Sequence, residues 1–179
     1  MINSAAARNA GPKHAIVVFD TRFGNTEKIA KSLEAGLKQT GIQTICINER
    51  EVSFESLKGY DLICIGAPTE AFSAFKPMKE FLSKLKNIDL IGKYAYAFDT
   101  KIESRLSGSA AKYIEKELNY LGLQIIAPRE SAIVSSQRHG GTITGATLKE
   151  VEDLRFEEVG VQVGTSLLAA TKGREAIPA

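Results

Sequence analysis

The residues best placed to do chemistry lie in one short turn, Thr21, Arg22, Phe23, Gly24, Asn25 and Thr26. The turn follows an apolar run and leads straight into an amphipathic segment. The first N–H groups of a helix have no partner inside it, and with the helix dipole they favour an anion. Thr21, Asn25 and Thr26 add side-chain donors, and Gly24 permits close backbone approach or a positive φ. A phosphate suits this arrangement. The turn also reads as an ordinary helix start capped by Asn25 or Thr26. The chain has no G-x-x-x-x-G-K-[ST] and no G-x-G-x-x-G after the first apolar run, which disfavours an NTP-hydrolysing loop and a standard dinucleotide fingerprint.

The elements that must position this turn alternate along the chain. Apolar, β-branched runs at 15–19, 42–47, 61–66, 94–98 and 123–134 read as strands, the last broken near Pro128. Such continuous runs mark strands buried on both faces, as in parallel sheets. Between them Ile29, Leu33 and Leu37, then Met78, Phe81 and Leu85, then Ile114 and Leu118, fall at helical spacing. Pro77 suits a helix start. A final helix carries Leu148, Val151, Phe156, Val159, Val163 and Leu167, with Gly160 and Gly164 marking a close approach. This alternation predicts an open parallel sheet with helices on both faces. Ligands of such sheets bind beyond the carboxyl ends of the strands. The loops there are 21–26, 68–76, 99–107 and 135–141.

Composition narrows the function. The chain has 179 residues, 25% of them charged, with 23 basic against 21 acidic side chains, a net charge of +2. It lacks the basic excess of a nucleic-acid binder and any apolar stretch of membrane-spanning length. Cys46 and Cys64 lie within apolar runs and suggest core thiols in a reducing, cytoplasmic setting, with no metal site. His14 and His139 read as surface residues, and Ser109 as a helix cap. One domain over 14–171 is expected, with a loose arm over 1–13 and a tail over 172–179.

Three stretches together resemble the flavodoxin family. Ile16-Val17-Val18-Phe19 followed by Thr21-x-x-Gly24-Asn25-Thr26-Glu27 is similar to the family's phosphate loop. Gly66-Ala67-Pro68-Thr69 is similar to its second flavin loop, and Phe98-Asp99-Thr100 with Ser107-Gly108-Ser109-Ala110-Ala111 to its third. The likeness implies a five-stranded, doubly wound parallel sheet in the order 2-1-3-4-5, and non-covalently bound FMN. It implies that Thr21, Arg22, Gly24, Asn25 and Thr26, with Phe23 in the same loop, hold the phosphate. Pro68, Thr69, Glu70 and Ala71 would border the isoalloxazine, and Asp99, Thr100 and Lys101 would approach its pyrimidine edge. The third loop lacks an aromatic residue, so stacking would fall to Phe72 or Phe75, which also read as packing residues, or one face of the ring would stay bare. The implied activity is electron transfer between redox partner proteins, with no catalytic side chain required. The alternative on the same fold is an NAD(P)H-dependent quinone or FMN reductase, commonly oligomeric. A receiver-like signalling domain is excluded, since the third strand ends Gly66-Ala67-Pro68 without a phospho-acceptor Asp.

Overall fold

A computed structural model describes residues 11–70, 73–104 and 108–175. The elements are β1 (His14–Phe19), α1 (Asn25–Gln39), β2 (Gln43–Asn48), β3 (Leu62–Glu70), β4 (Ser73–Ala74), α2 (Lys76–Leu85), β5 (Tyr94–Ile102), α3 (Ala110–Tyr120), β6 (Gln124–Ile125), β7 (Glu130–His139), β8 (Thr142–Leu148) and α4 (Glu152–Glu175). Short 3-10 turns at Glu49–Glu51 and Phe54–Gly59 link β2 to β3.

The sheet runs β2-β1-β3-β5-β7-β8. Its first five strands pair in parallel, with β6 and β7 successive segments beside β5. This is the expected doubly wound order, with the interruption near Pro128 in place. The alternation of side chains sorts the apolar runs onto two cores. Ile16, Val18, Ile63, Ile65, Ala95 and Ala97 pack with α2 and α3. Ala15, Val17, Leu62, Cys64, Tyr96 and Phe98 pack with α1 and α4. Burial on both faces is why these strands show no polar alternation.

The close approach signalled by glycines lies between α1 and α4. A Cβ on Gly36 would stand 1.9 Å from the Glu157 carbonyl oxygen, and one on Gly160 would stand 2.4 Å from that of Leu33. The two helices therefore touch backbone to backbone.

Three features extend the sheet beyond the sequence reading. β3 runs on to Glu70 and turns back into β4. β5 continues through Ile102, where the sequence suggested irregular chain from Asp99. Neighbours on both sides supply its ladder, Pro68 opposite Thr100 and Val134 opposite Ile102. Beyond His139 the chain folds back as β8, antiparallel to β7. Gly140 and Gly141 have φ of 55° and 82°, the positive pair that a two-residue hairpin turn requires. Leu148 thus ends a strand and Val151 lies before α4, instead of both belonging to the last helix. α4 itself continues to Glu175, past the expected boundary at 171.

Candidate functional site

β1 ends at Phe19, and the chain crosses the carboxyl edge of the sheet to enter α1 at Asn25. Gly24 occupies the cap position with φ 80°, open space where a Cβ would be, and no side-chain cap. Neither Asn25 nor Thr26 therefore acts as the cap. The first helical bond runs from the Lys28 N–H to the Gly24 carbonyl at 3.1 Å, so the donors of the first turn are not satisfied by a capping side chain. The Thr21 Oγ1 is buried and has no hydrogen-bond partner. A buried hydroxyl without a partner is uncommon, and here it faces the same turn as the uncapped helix.

The other members of the turn are tied to different elements. Thr26 Oγ1 lies 2.9 Å from Thr100 Oγ1, a buried bond that joins α1 to β5. The Asn25 amide donates to the Ala146 carbonyl at 2.9 Å and accepts from the Leu148 N–H at 3.1 Å. Its side chain is thus committed to the free edge of β8, and it offers the turn its backbone N–H. Arg22 Nη1 reaches Glu70 Oε1 at 2.6 Å, spanning from the turn to the end of β3. Its guanidinium lies 5.0 Å from the Phe23 ring centroid, and Phe23 is 38% exposed.

These side chains open onto one cleft at the carboxyl edge of the sheet, the place where ligands of such sheets bind. It is lined by Thr21, Arg22, Phe23, Asn25 and Thr26 from the turn, by Pro68, Thr69 and Glu70 from β3, and by Thr100 and Lys101 from β5. The structure therefore gathers ten of the fourteen expected site residues around one cavity. Gly24 lies in the turn itself. Ala71 and Phe72 lie outside the described residues, so the stacking role of Phe72 has no structural description. Phe75 is the residue preceding α2 and is half-buried.

Asp99 departs from its expected place. It is fully buried, does not line the cleft, and turns under α3. Its Oδ2 accepts from Thr69 Oγ1 at 2.9 Å, Ser109 Oγ at 2.7 Å and the Ala111 N–H at 2.9 Å. Thr69 Oγ1 in turn accepts from the Ala110 N–H at 2.8 Å. Ser109 also caps α3, accepting from the Lys112 N–H. Asp99 is thus the knot that fixes the ends of β3 and β5 to the start of α3.

The far wall comes from Ile102, Val134, Ser136, Ile143 and Ala146. Sequence reasoning missed Ile143 and Ala146 because it missed β8, and Ile102, Val134 and Ser136 because it ended the neighbouring strands too early to bring them to the cleft. The available signal was Gly140-Gly141 between two runs of alternating β-formers, a hairpin signature.

Beneath the turn lies a second acidic residue. Asp20 is 2% exposed with its Oδ2 unpartnered. Burial, and then the nearby Glu49 and Glu70 carboxylates, push its carboxyl up to about 6. Burial likewise pushes the Cys46 thiol up to about 12 and raises that of Cys64. Both cysteines are free, and a thiol so raised is unreactive at neutral pH. Among the described residues no group of acidic, His or Cys side chains is arranged to hold a metal ion. No helix there is long and apolar enough to cross a membrane.

A sheet wound on both faces, with an anion-ready helix start opening into a cleft at the carboxyl ends of its strands, defines a mononucleotide-binding α/β protein. The sequence profile of the family described as Flavodoxin matches residues 17–159, and the chain belongs to the flavodoxin family. Flavodoxin 1 of Salmonella typhimurium is 31% identical over 122 residues, covering 66% of this chain and 64% of that protein. The chain thus spans just under two thirds of that relative. A flavodoxin of Clostridium saccharobutylicum is 29% identical over 154 residues, covering 84% of this chain and 95% of that protein. Among solved structures, a flavodoxin from the domain Archaea shares the fold with a TM-score of 0.71 at 20% identity, over 87% of this chain and 99% of that one.

Flavodoxins carry FMN, and FMN is the cofactor of this chain. The residues present fit it: an uncapped helix start and an unpartnered buried hydroxyl suit a phosphate, and the cleft beside them is largely apolar on its far wall. The chain is an FMN-binding electron-transfer protein.

Proposed function

We propose that this protein shuttles electrons between redox enzymes, with the FMN phosphate in the turn from Thr21 to Thr26 and the ring between the ends of β3 and β5. Bound FMN supplies the electron-accepting ring, while the chain supplies binding, orientation and electrostatics. The single observation that carries the placement is the Thr21 hydroxyl, buried and unpartnered beside an uncapped helix start. Such a hydroxyl is a donor held ready for an anion. Thr26 and Thr100 brace the turn from below. Pro68, Thr69, Glu70, Thr100 and Lys101 border the remainder of the cleft. The free cysteines accord with a cytoplasmic setting. Two relatives that match by sequence are flavodoxins, which favours a carrier over a reductase that oxidises NAD(P)H itself.

The test is Thr21→Val, which removes the hydroxyl and keeps the shape. Because that oxygen has no partner among the described residues, urea unfolding of the apoprotein should be unchanged. FMN affinity should fall about 10- to 100-fold, the range for a hydrogen bond to a charged group, while riboflavin affinity should hold. Equal FMN affinity in parent and variant would remove the phosphate from this turn. Lack of NAD(P)H oxidase and quinone reductase activity in the FMN-loaded protein is expected, and rapid turnover would overturn the carrier reading.

A further inference from the structure

The charged side chains lining the cleft are Arg22, Glu70 and Lys101. Arg22 and Glu70 neutralise each other across the 2.6 Å ion pair. The acidic neighbours of Lys101 along the chain are both engaged elsewhere. Asp99 is buried under α3 with Oδ2 accepting three hydrogen bonds, and Glu103 is paired with Lys149, the residue just after β8. Lys101 itself is half-buried and makes no ion pair or hydrogen bond through its side chain with another described residue. Lys101 is therefore the one charged side chain of the cleft lining without an ion-pair partner among the described residues. Its backbone sits on a strand held on both sides, with Pro68 opposite Thr100 and Ile133 opposite Lys101.

Charge near the pyrimidine end of a flavin tunes its electronics. An isoalloxazine that takes two electrons from a donor protein and one proton from water carries one negative charge, whereas the oxidised ring is neutral. A cation in the wall favours the charged form selectively, and half-burial keeps the attraction from being fully screened. We propose that Lys101 is a counter-charge for reduced FMN, stabilising the two-electron-reduced ring relative to the oxidised one and so making the two-electron midpoint potential of this chain less negative than a neutral residue there would. This rests on FMN lying in the cleft as described above.

The experiment is spectroelectrochemical titration of the FMN-loaded parent, Lys101→Met and Lys101→Arg, with flavin affinities of each apoprotein measured alongside. Lys101→Met should cut the preference for reduced over oxidised FMN about tenfold, which is a midpoint about 30 mV more negative. Lys101→Arg keeps the charge and should stay close to the parent. The gap between parent and Lys101→Met should shrink as ionic strength rises. Affinities for oxidised FMN and for riboflavin should change together and only slightly. Lys101→Gln serves as a second neutral variant if the Met variant proves less stable to urea. An unchanged midpoint in the neutral variants overturns the proposal. So does a selective loss of oxidised-FMN affinity with riboflavin binding retained, since Lys101 would then be a phosphate ligand. Failure of the parent to bind FMN at all would instead overturn the placement of the cofactor, a different and separately visible result.

Discussion

Asp99→Asn separates a structural knot from a flavin contact. In the parent, Oδ2 of this fully buried side chain accepts from Thr69 Oγ1, Ser109 Oγ and the Ala111 N–H at 2.7 to 2.9 Å. Asn keeps the shape but turns charge-assisted bonds into neutral ones, a loss of about 1 kcal/mol at each of three donors. The Oδ1 atom is buried without a partner, so removing the charge recovers about 1–2 kcal/mol of desolvation. The bonds outweigh the recovery, and the net destabilisation should be about 1–2 kcal/mol. With a urea m-value of about 2 kcal/mol/M, the unfolding midpoint of the apoprotein should drop by about 0.5–1 M. The m-value itself should hold, since no surface is exchanged. FMN affinity of the folded variant, read by fluorescence quenching in the absence of urea, should stay within about threefold of the parent, under 1 kcal/mol. Full stability combined with a large loss of FMN affinity, or with a shifted midpoint potential, would show that Asp99 faces the ring and that its bonds to α3 are incidental.

Gly36→Ala should destabilise by about 3 kcal/mol or more in urea melts, because its Cβ would meet backbone of α4, the Glu157 oxygen at 1.9 Å and Gly160 Cα at 2.8 Å, and backbone cannot swing aside. Gly173→Ala on α4, with nothing within 4 Å, is the control and should gain up to about 1 kcal/mol from helix propensity. Asp20, raised to about 6 from 3.8, should leave a pH signature. Between those values the folded state holds a proton that the unfolded state has released, so stability falls as pH rises and levels off above about 6, by up to ~3 kcal/mol in total. Asp20→Asn should remove that slope and be more stable than the parent at neutral pH, with the advantage vanishing near pH 4. A parent whose urea midpoint is flat over this interval would mean that Asp20 is better solvated than its burial indicates.

Much of the fold was legible because parallel strands buried on both faces must be apolar throughout. The runs at Ile16, Ile63 and Ala95 could hardly face water. Gly160 and Gly164 likewise announced a close helix contact, since nothing else repays their cost in helix propensity. β8 was not legible in the same way. It has no continuous apolar run, and its signal lay only in the Gly140-Gly141 pair between alternating β-formers. It is held by pairing with β7 and by the Asn25 amide reaching across from α1.

The sequence by itself determined the alternation of buried strands and amphipathic helices and the polar turn ahead of α1, because hydrophobic period and local backbone chemistry are properties of neighbouring residues, while the strand order and the residues expected at the cofactor followed from the resemblance to flavodoxins. Only the tertiary structure decided what each polar side chain does. Asp99 and Asn25, both expected at the cofactor, are bound instead to α3 and β8. Arg22 is neutralised by Glu70, 48 positions along the chain, while Lys101 keeps its charge. Hydrogen bonds and ion pairs of this kind join segments far apart in sequence, and a buried polar group takes whichever partner the packing of strands and helices brings within about 3 Å.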